Sequence, residues 1–165
     1  MCPIHVQEET DMVQHVMIAQ LKAASAGMLK ATLGSCVALG LINRKTGLCG
    51  LAHCLLAHAP AGADVADARY VDRALPNLIR IVGGLNPVRR HLKGFLAGGA
   101  NMIHSADTEK RTVGSLNLEA ARTAFKANQI SFEELETGGM QGYTVVLDCN
   151  TKLLTCCFID PMTTE

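Results

Sequence analysis

Apolar residues along this chain fall in short runs separated by turn-forming residues, and only two stretches repeat at helical spacing. Val13 to Leu21 (VQHVMIAQL) has the apolar character of a first strand. Ala23 to Lys30 contains Ser25 and Gly27 and reads as a loop, which delivers the chain to Thr32, Leu33, Gly34, Ser35 and Cys36. Val37 to Ile42 is an uninterrupted apolar run and reads as a buried strand. Asn43 to Gly47 supply turn chemistry, because Asn and Gly tolerate positive φ, and Leu48 to Leu56 resumes the apolar run, so the pair is expected to form a hairpin.

From Asp67 onward, Tyr70, Val71, Ala74, Leu75, Leu78, Ile79 and Val82 lie one helical turn apart in successive pairs, the stripe of a helix with one buried face. Pro76 removes a backbone hydrogen bond within it, so a kink, or a regular helix beginning close to Pro76, is expected. Gly83 and Gly84 end it. Leu92 to Ala97 reads as a strand feeding Gly98, Gly99, Ala100 and Asn101. A second helix is expected near Asn117 as its capping residue, with Leu118, Ala121 and Phe125 buried and Asn128 as the stop. Ile130 to Glu136, Thr144 to Asp148 and Leu153 to Ile159 repeat the strand pattern between glycine turns and an Asn150-Thr151 turn. Strands and helices do not alternate regularly enough for a doubly wound parallel sheet, so the expected class is mixed α+β.

Composition narrows the picture. The 165 residues suffice for one domain, here 1–165 with residues 1–12 as a loosely ordered lead-in. Fifteen Lys plus Arg balance fifteen Asp plus Glu, so no summed field draws in nucleic acid or an anionic membrane. No run approaches the roughly 18 apolar residues of a membrane span. The acidic start, MCPIHVQEETDM, is unlike a secretory leader, which points to the cytoplasm. Seven cysteines are an odd number and a poor fit to an oxidised framework.

The candidate chemistry centres on Cys36. It stands where a loop meets a strand, after Gly34 and Ser35, a place where backbone N–H groups can face an oxyanion while the thiol stays reachable. An antiparallel hairpin brings His53 opposite the start of that strand, and an imidazole there would lower the thiol pKa from about 8.5. The competing reading is that both are buried core residues of an apolar hairpin. Cys49, His53, Cys54 and His58 are potential zinc ligands by type, but along a strand Cys49 and His53 stand about 13 Å apart and Cys54 faces the other way. No metal site is therefore expected, and Cys49, Cys54, Cys149, Cys156 and Cys157 are assigned to core packing. The Gly98-Gly99-Ala100-Asn101 turn lacks the features of a phosphate loop.

Leu33-Gly34-Ser35-Cys36-Val37-Ala38, Gly50-Leu51-Ala52-His53, Ala68-Arg69-Tyr70-Val71-Asp72, Gly98-Gly99-Ala100-Asn101-Met102 and the later Val113-Gly114-x-x-Asn117, in that order, resemble the CheD family of chemoreceptor glutamine deamidases. The resemblance runs from about Val13 to Phe158. It implies a β-rich sandwich of mixed and antiparallel sheets with two helices packed outside, cysteine-hydrolase-like, acting in the cytoplasm without a cofactor. It further implies hydrolysis of glutamine amides in the cytoplasmic domains of methyl-accepting chemotaxis receptors, and binding of CheC-type phosphatases. Carried onto this chain, Cys36 matches the nucleophile and His53 the base. Thr32 is the one candidate for a third catalytic threonine, while Ser35, Gly98, Gly99 and Asn101 would line the substrate groove. Leu116 and Tyr143 stand where the family often has arginine, which bears on partner contacts. A largely non-catalytic adaptor, or a hydrolase of receptor methyl esters, would use the same frame.

Overall fold

The computed structural model describes residues 12–102 and 111–159; the expected lead-in falls almost wholly outside them. Among the described residues nine strands and two α-helices form three layers, an α+β arrangement as expected. One sheet contains β2 (Leu21–Ala24), β5 (Cys49–Cys54), β4 (Val37–Asn43), β6 (Leu92–Gly98) and β7 (Ser131–Thr137), in that order. The other contains β1 (Val13–His15), β3 (Met28–Leu33), β8 (Tyr143–Asp148) and β9 (Leu153–Phe158). Both are mixed, β6 with β7 and β1 with β3 being the parallel pairs.

The central strands explain their own composition. Val37, Leu39 and Leu41 face α1 (Val71–Gly83) and α2 (Val113–Ala127), while Ala38 and Ile42 face the second sheet, so β4 is buried on both sides and cannot alternate with polar residues. Gly50 and Gly94 let the helices settle on this sheet, since a Cβ would lie 2.6 Å from Leu78 Cδ1 or 2.5 Å from Phe125 Cε1. At the β4–β5 turn Asn43 Oδ1 accepts the amides of Lys45 and Thr46, and its Nδ2 donates to Val82 O at 3.1 Å, tying the hairpin to the end of α1.

Three sequence expectations are corrected. The single strand over Val13–Leu21 is two strands in different sheets, because the chain crosses between them through Ala19, at φ 68°. The loop over Ala23–Lys30 holds the end of β2 and the start of β3. In β3, Leu29, Ala31 and Leu33 point into the sandwich and Lys30 and Thr32 away from it; the alternation is a half-buried strand, obscured by Ser25 and Gly27 just before it. The second helix starts at Val113, four residues before Asn117, with Thr112 and Ser115 forming a reciprocal capping box. The first helix runs from Val71 through Pro76 to Gly83 without interruption. Neither helix is long and apolar enough to cross a membrane.

Candidate active site

The β4–β5 register pairs Ala38 with His53 and Val37 with Cys54. Cys36, one step before β4, therefore lies on the same sheet face as His53, displaced diagonally across the pair, a relation in which backbones stand about 7–8 Å apart. Both residues turn toward the intersheet side and are buried.

His53 is held from the crossing segment between β1 and β2. Its Nδ1 lies 2.9 Å from Val16 O; a carbonyl only accepts, so Nδ1 carries the hydrogen and Nε2 the lone pair. The His53 backbone is bonded on both sides to the same segment, its N–H to Gln20 O at 3.0 Å and its carbonyl from Ala19 N at 2.9 Å. Nε2 is buried and has no hydrogen-bond partner. Burial holds the imidazole pKa below its ordinary value, against the opposing bond to Val16, so the ring is neutral near pH 7.

The thiol differs from expectation. Burial raises the Cys36 pKa, offset in part by the residue's own backbone N–H. A neutral imidazole contributes no charge to lower it, so the resting site holds a protonated thiol and a neutral imidazole on one sheet face, not a preformed ion pair.

The loop around Cys36 is fixed from two directions. Gly99 N donates to Cys36 O at 2.8 Å and Ala100 N to Gly34 O at 3.0 Å, so the glycine turn continues the β4–β6 pairing past its end. Gly98, at φ 97°, could not carry a side chain, since its Cβ would lie 2.4 Å from Cys36 O. With the Gly99 amide engaged, these two glycines position the loop that carries Cys36. The Asn101 amide donates to Gly139 O at 2.8 Å, drawing in the turn before β8. From the other side Asn117, completely buried in α2, donates through Nδ2 to Ser35 O at 3.1 Å and to Leu55 O at 2.9 Å. One side chain thus joins the residue before Cys36 to the segment after His53.

Thr32 is not brought to this pair. It is exposed on the outer face of β3, opposite Thr144, and the position of an orienting partner for His53 is taken by the Val16 carbonyl. Thr32 instead borders a cleft of about 520 Å³ beside the Cys36 loop, with Gly34, Met102, Met140, Gln141 and Ile159 among its walls. Among the described residues no three His, Cys, Asp or Glu side chains group as a metal site.

The family model described as CheD chemotactic sensory transduction matches residues 55–157. A relative named "Probable chemoreceptor glutamine deamidase CheD 2", from Ruegeria sp. (strain TM1040), is 34% identical over 155 residues, covering 83% of this chain and 87% of its own length. The chain belongs to the CheD family. The CheD proteins named probable chemoreceptor glutamine deamidase from Bdellovibrio bacteriovorus and Thermococcus kodakarensis are 35% identical over 130 residues and 38% over 120. They cover 78% and 72% of this chain, and 83% and 74% of their own lengths. The family-model match begins after His53. The Ruegeria alignment takes in too large a share of the chain to start beyond Cys36, so it spans both residues.

Within this CheD domain, sequence reasoning missed Val16 and the true place of Asn117. A backbone carbonyl leaves no mark in sequence. Asn117 did leave one: Gly114 and Asn117 are one turn apart on α2, and a Cβ at Gly114 would lie 2.3 Å from Gly99 O, so both belong to the helix face set against the active-site loops. Cys49, Cys54 and Cys149 are buried as expected, whereas Cys156 is half-buried and Cys157 exposed, because β9 is an edge strand with an outer face.

Proposed function

We propose that this CheD-family chain hydrolyses glutamine side-chain amides in the cytoplasmic domains of chemotaxis receptors, with Cys36 as nucleophile and His53 as base. The observation that carries this reading is the neutral His53, fixed through Nδ1 with Nε2 unpartnered, on the same sheet face as Cys36. As the sulfur attacks the carboxamide carbon, the thiol proton passes to Nε2 and a C–S bond forms. The imidazolium returns that proton to the amide nitrogen, the C–N bond breaks and ammonia leaves a thioester. Water, deprotonated by the same Nε2, attacks the thioester carbon; the C–S bond breaks and the sulfur regains its proton. The Cys36 amide is a candidate donor to the oxyanion in both steps. The cleft bordered by Thr32, Met102 and Met140 would receive apolar residues flanking the glutamine.

The raised thiol pKa is the specific observation on the side of a second reading, a chain that binds a receptor helix or a CheC-type phosphatase with little turnover. Intact mass of a receptor cytoplasmic fragment separates the two. The first reading requires a gain of about 1 Da per converted glutamine, abolished in Cys36→Ala and His53→Ala. An unchanged mass with folded protein and bound fragment overturns it in favour of the second.

A further inference from the structure

At the end of the sandwich away from Cys36, the tip of the β4–β5 hairpin meets the β8–β9 turn. Cys49 opens β5, Cys149 follows β8, and both are completely buried although they belong to different sheets. Both side chains belong to the same buried apolar cluster between the two sheets. Each also lies near a carbonyl of its own segment, Cys49 Sγ at 3.6 Å from Gly47 O and Cys149 Sγ at 3.8 Å from Leu147 O. Lys152 closes over the pair, its ammonium donating to Gly47 O at 2.5 Å and to Cys149 O. Lys152 sits at φ 61°, a conformation suited to Gly or Asn, so the turn places a cation where backbone preference alone would not. A cleft of about 510 Å³ reaches this lid, with Gly47 and Lys152 in its wall.

Thiolate character sets the reactivity of a cysteine. Burial raises Cys36, Cys54 and Cys156, the last to about 11. Cys49 moves the other way, below its ordinary value: the neighbouring Cys149 thiol and the Lys152 ammonium lower it, against burial and the charge of Asp148. Cys149 rises, through its neighbour Cys49 and burial.

We propose that Cys49 and Cys149 form a redox-active dithiol, which a hydroperoxide converts to an intersheet disulfide and whose attacking sulfur Lys152 holds. The Cys49 sulfur attacks a peroxide oxygen, the O–O bond breaks, and hydroxide leaves to become water with the proton released by Cys149. Cys149 then attacks the sulfenic sulfur of Cys49, the S–O bond breaks, and the hydroxide leaves as a second water with the proton that Cys49 released to solvent on ionising. Two thiols and one hydrogen peroxide become one disulfide and two waters, each sulfur giving up one electron. The chemistry is independent of amide hydrolysis, because Cys36 takes no part in it.

The test treats the full chain with one equivalent of hydrogen peroxide near neutral pH, blocks remaining thiols and maps peptides by mass. The expected product is lighter by about 2 Da and carries a Cys49–Cys149 link that dithiothreitol reverses, with Cys36 still alkylated. Its thermal midpoint should rise by about 5 °C or more. Lys152→Met should slow closure about tenfold or more by withdrawing thiolate, whereas Lys45→Met, at an exposed position of the same hairpin, should leave it unchanged. First oxidation at Cys36, a link between other cysteines, no link at all, or equal rates in Lys152→Met and the unsubstituted chain would each overturn the proposal.

Discussion

Replacing Asn117 with leucine removes a side chain that joins the loops of Cys36 and His53, while keeping its branched outline. Two partly buried bonds disappear, those to Ser35 O and Leu55 O. A carbonyl deprived of its donor loses about 1–2 kcal/mol in such a setting. Against this, Asn117 Oδ1 is itself buried without a partner, and its removal recovers about 1 kcal/mol. The net loss for Asn117→Leu is therefore about 1–3 kcal/mol. Asn117→Asp has the same shape but, when ionised, sets a carboxylate against two carbonyl oxygens, and should lose about 3 kcal/mol or more. The sign of its pH dependence follows. Burial raises the folded pKa of this aspartate above its unfolded value of about 3.9, so its stability relative to Asn117→Leu is greatest below that value and is lost as pH rises through the folded pKa. Urea unfolding measures both variants, with an unchanged slope required for the comparison. Alkylation of Cys36 relative to the exposed Cys157 reports the loop directly, and the ratio should rise in Asn117→Leu. The reasoning is refuted if Asn117→Leu matches the parent in stability and alkylation ratio, or if the aspartate variant is no worse than the leucine variant at neutral pH.

Three further outcomes follow from the same geometry. Gly98→Ala sets a Cβ 2.4 Å from Cys36 O at φ 97°, and should lower the urea midpoint by about 2–4 kcal/mol equivalent, the combined scale of a left-handed alanine and an overpacked contact; a midpoint within error of the parent would contradict it. His53 has a depressed folded pKa, so it contributes stability that is present above its unfolded pKa of about 6.5 and is lost as pH falls through the folded value; His53→Gln should flatten this part of the stability profile between neutral and mildly acidic pH, as followed by denaturant titration. Thr32→Val should change kcat on a receptor fragment by less than about threefold, because Thr32 stands on the outer face of β3 away from His53; a loss comparable to that of Cys36→Ala would restore it to the catalytic group.

How much was legible beforehand depended on whether the information was local. The β4–β5 hairpin could be read because Asn43 and Gly47 mark its turn and both strands are apolar throughout. The register of that hairpin then put Cys36 and His53 on one face, as period two in a strand requires. The stripe from Val71 to Val82 likewise announced α1. The crossing at Ala19 was not legible, because a positive φ at alanine is imposed by the two sheets it joins, against the residue's own preference.

The amino-acid order by itself determined the β4–β5 hairpin, the buried stripe of α1, the mixed α+β class, and the pairing of a cysteine with a histidine, all of which rest on periodicity and on neighbours close in the chain. Only the tertiary structure decided what state that pair is in. Val16 O reaches His53 across 37 residues, Asn117 reaches Ser35 across 82, and Lys152 reaches Gly47 across 105. Burial between two sheets, not the identity of the neighbouring residues in sequence, keeps His53 neutral and Cys36 protonated. Desolvation and backbone carbonyls act through space, and no spacing along a chain encodes them.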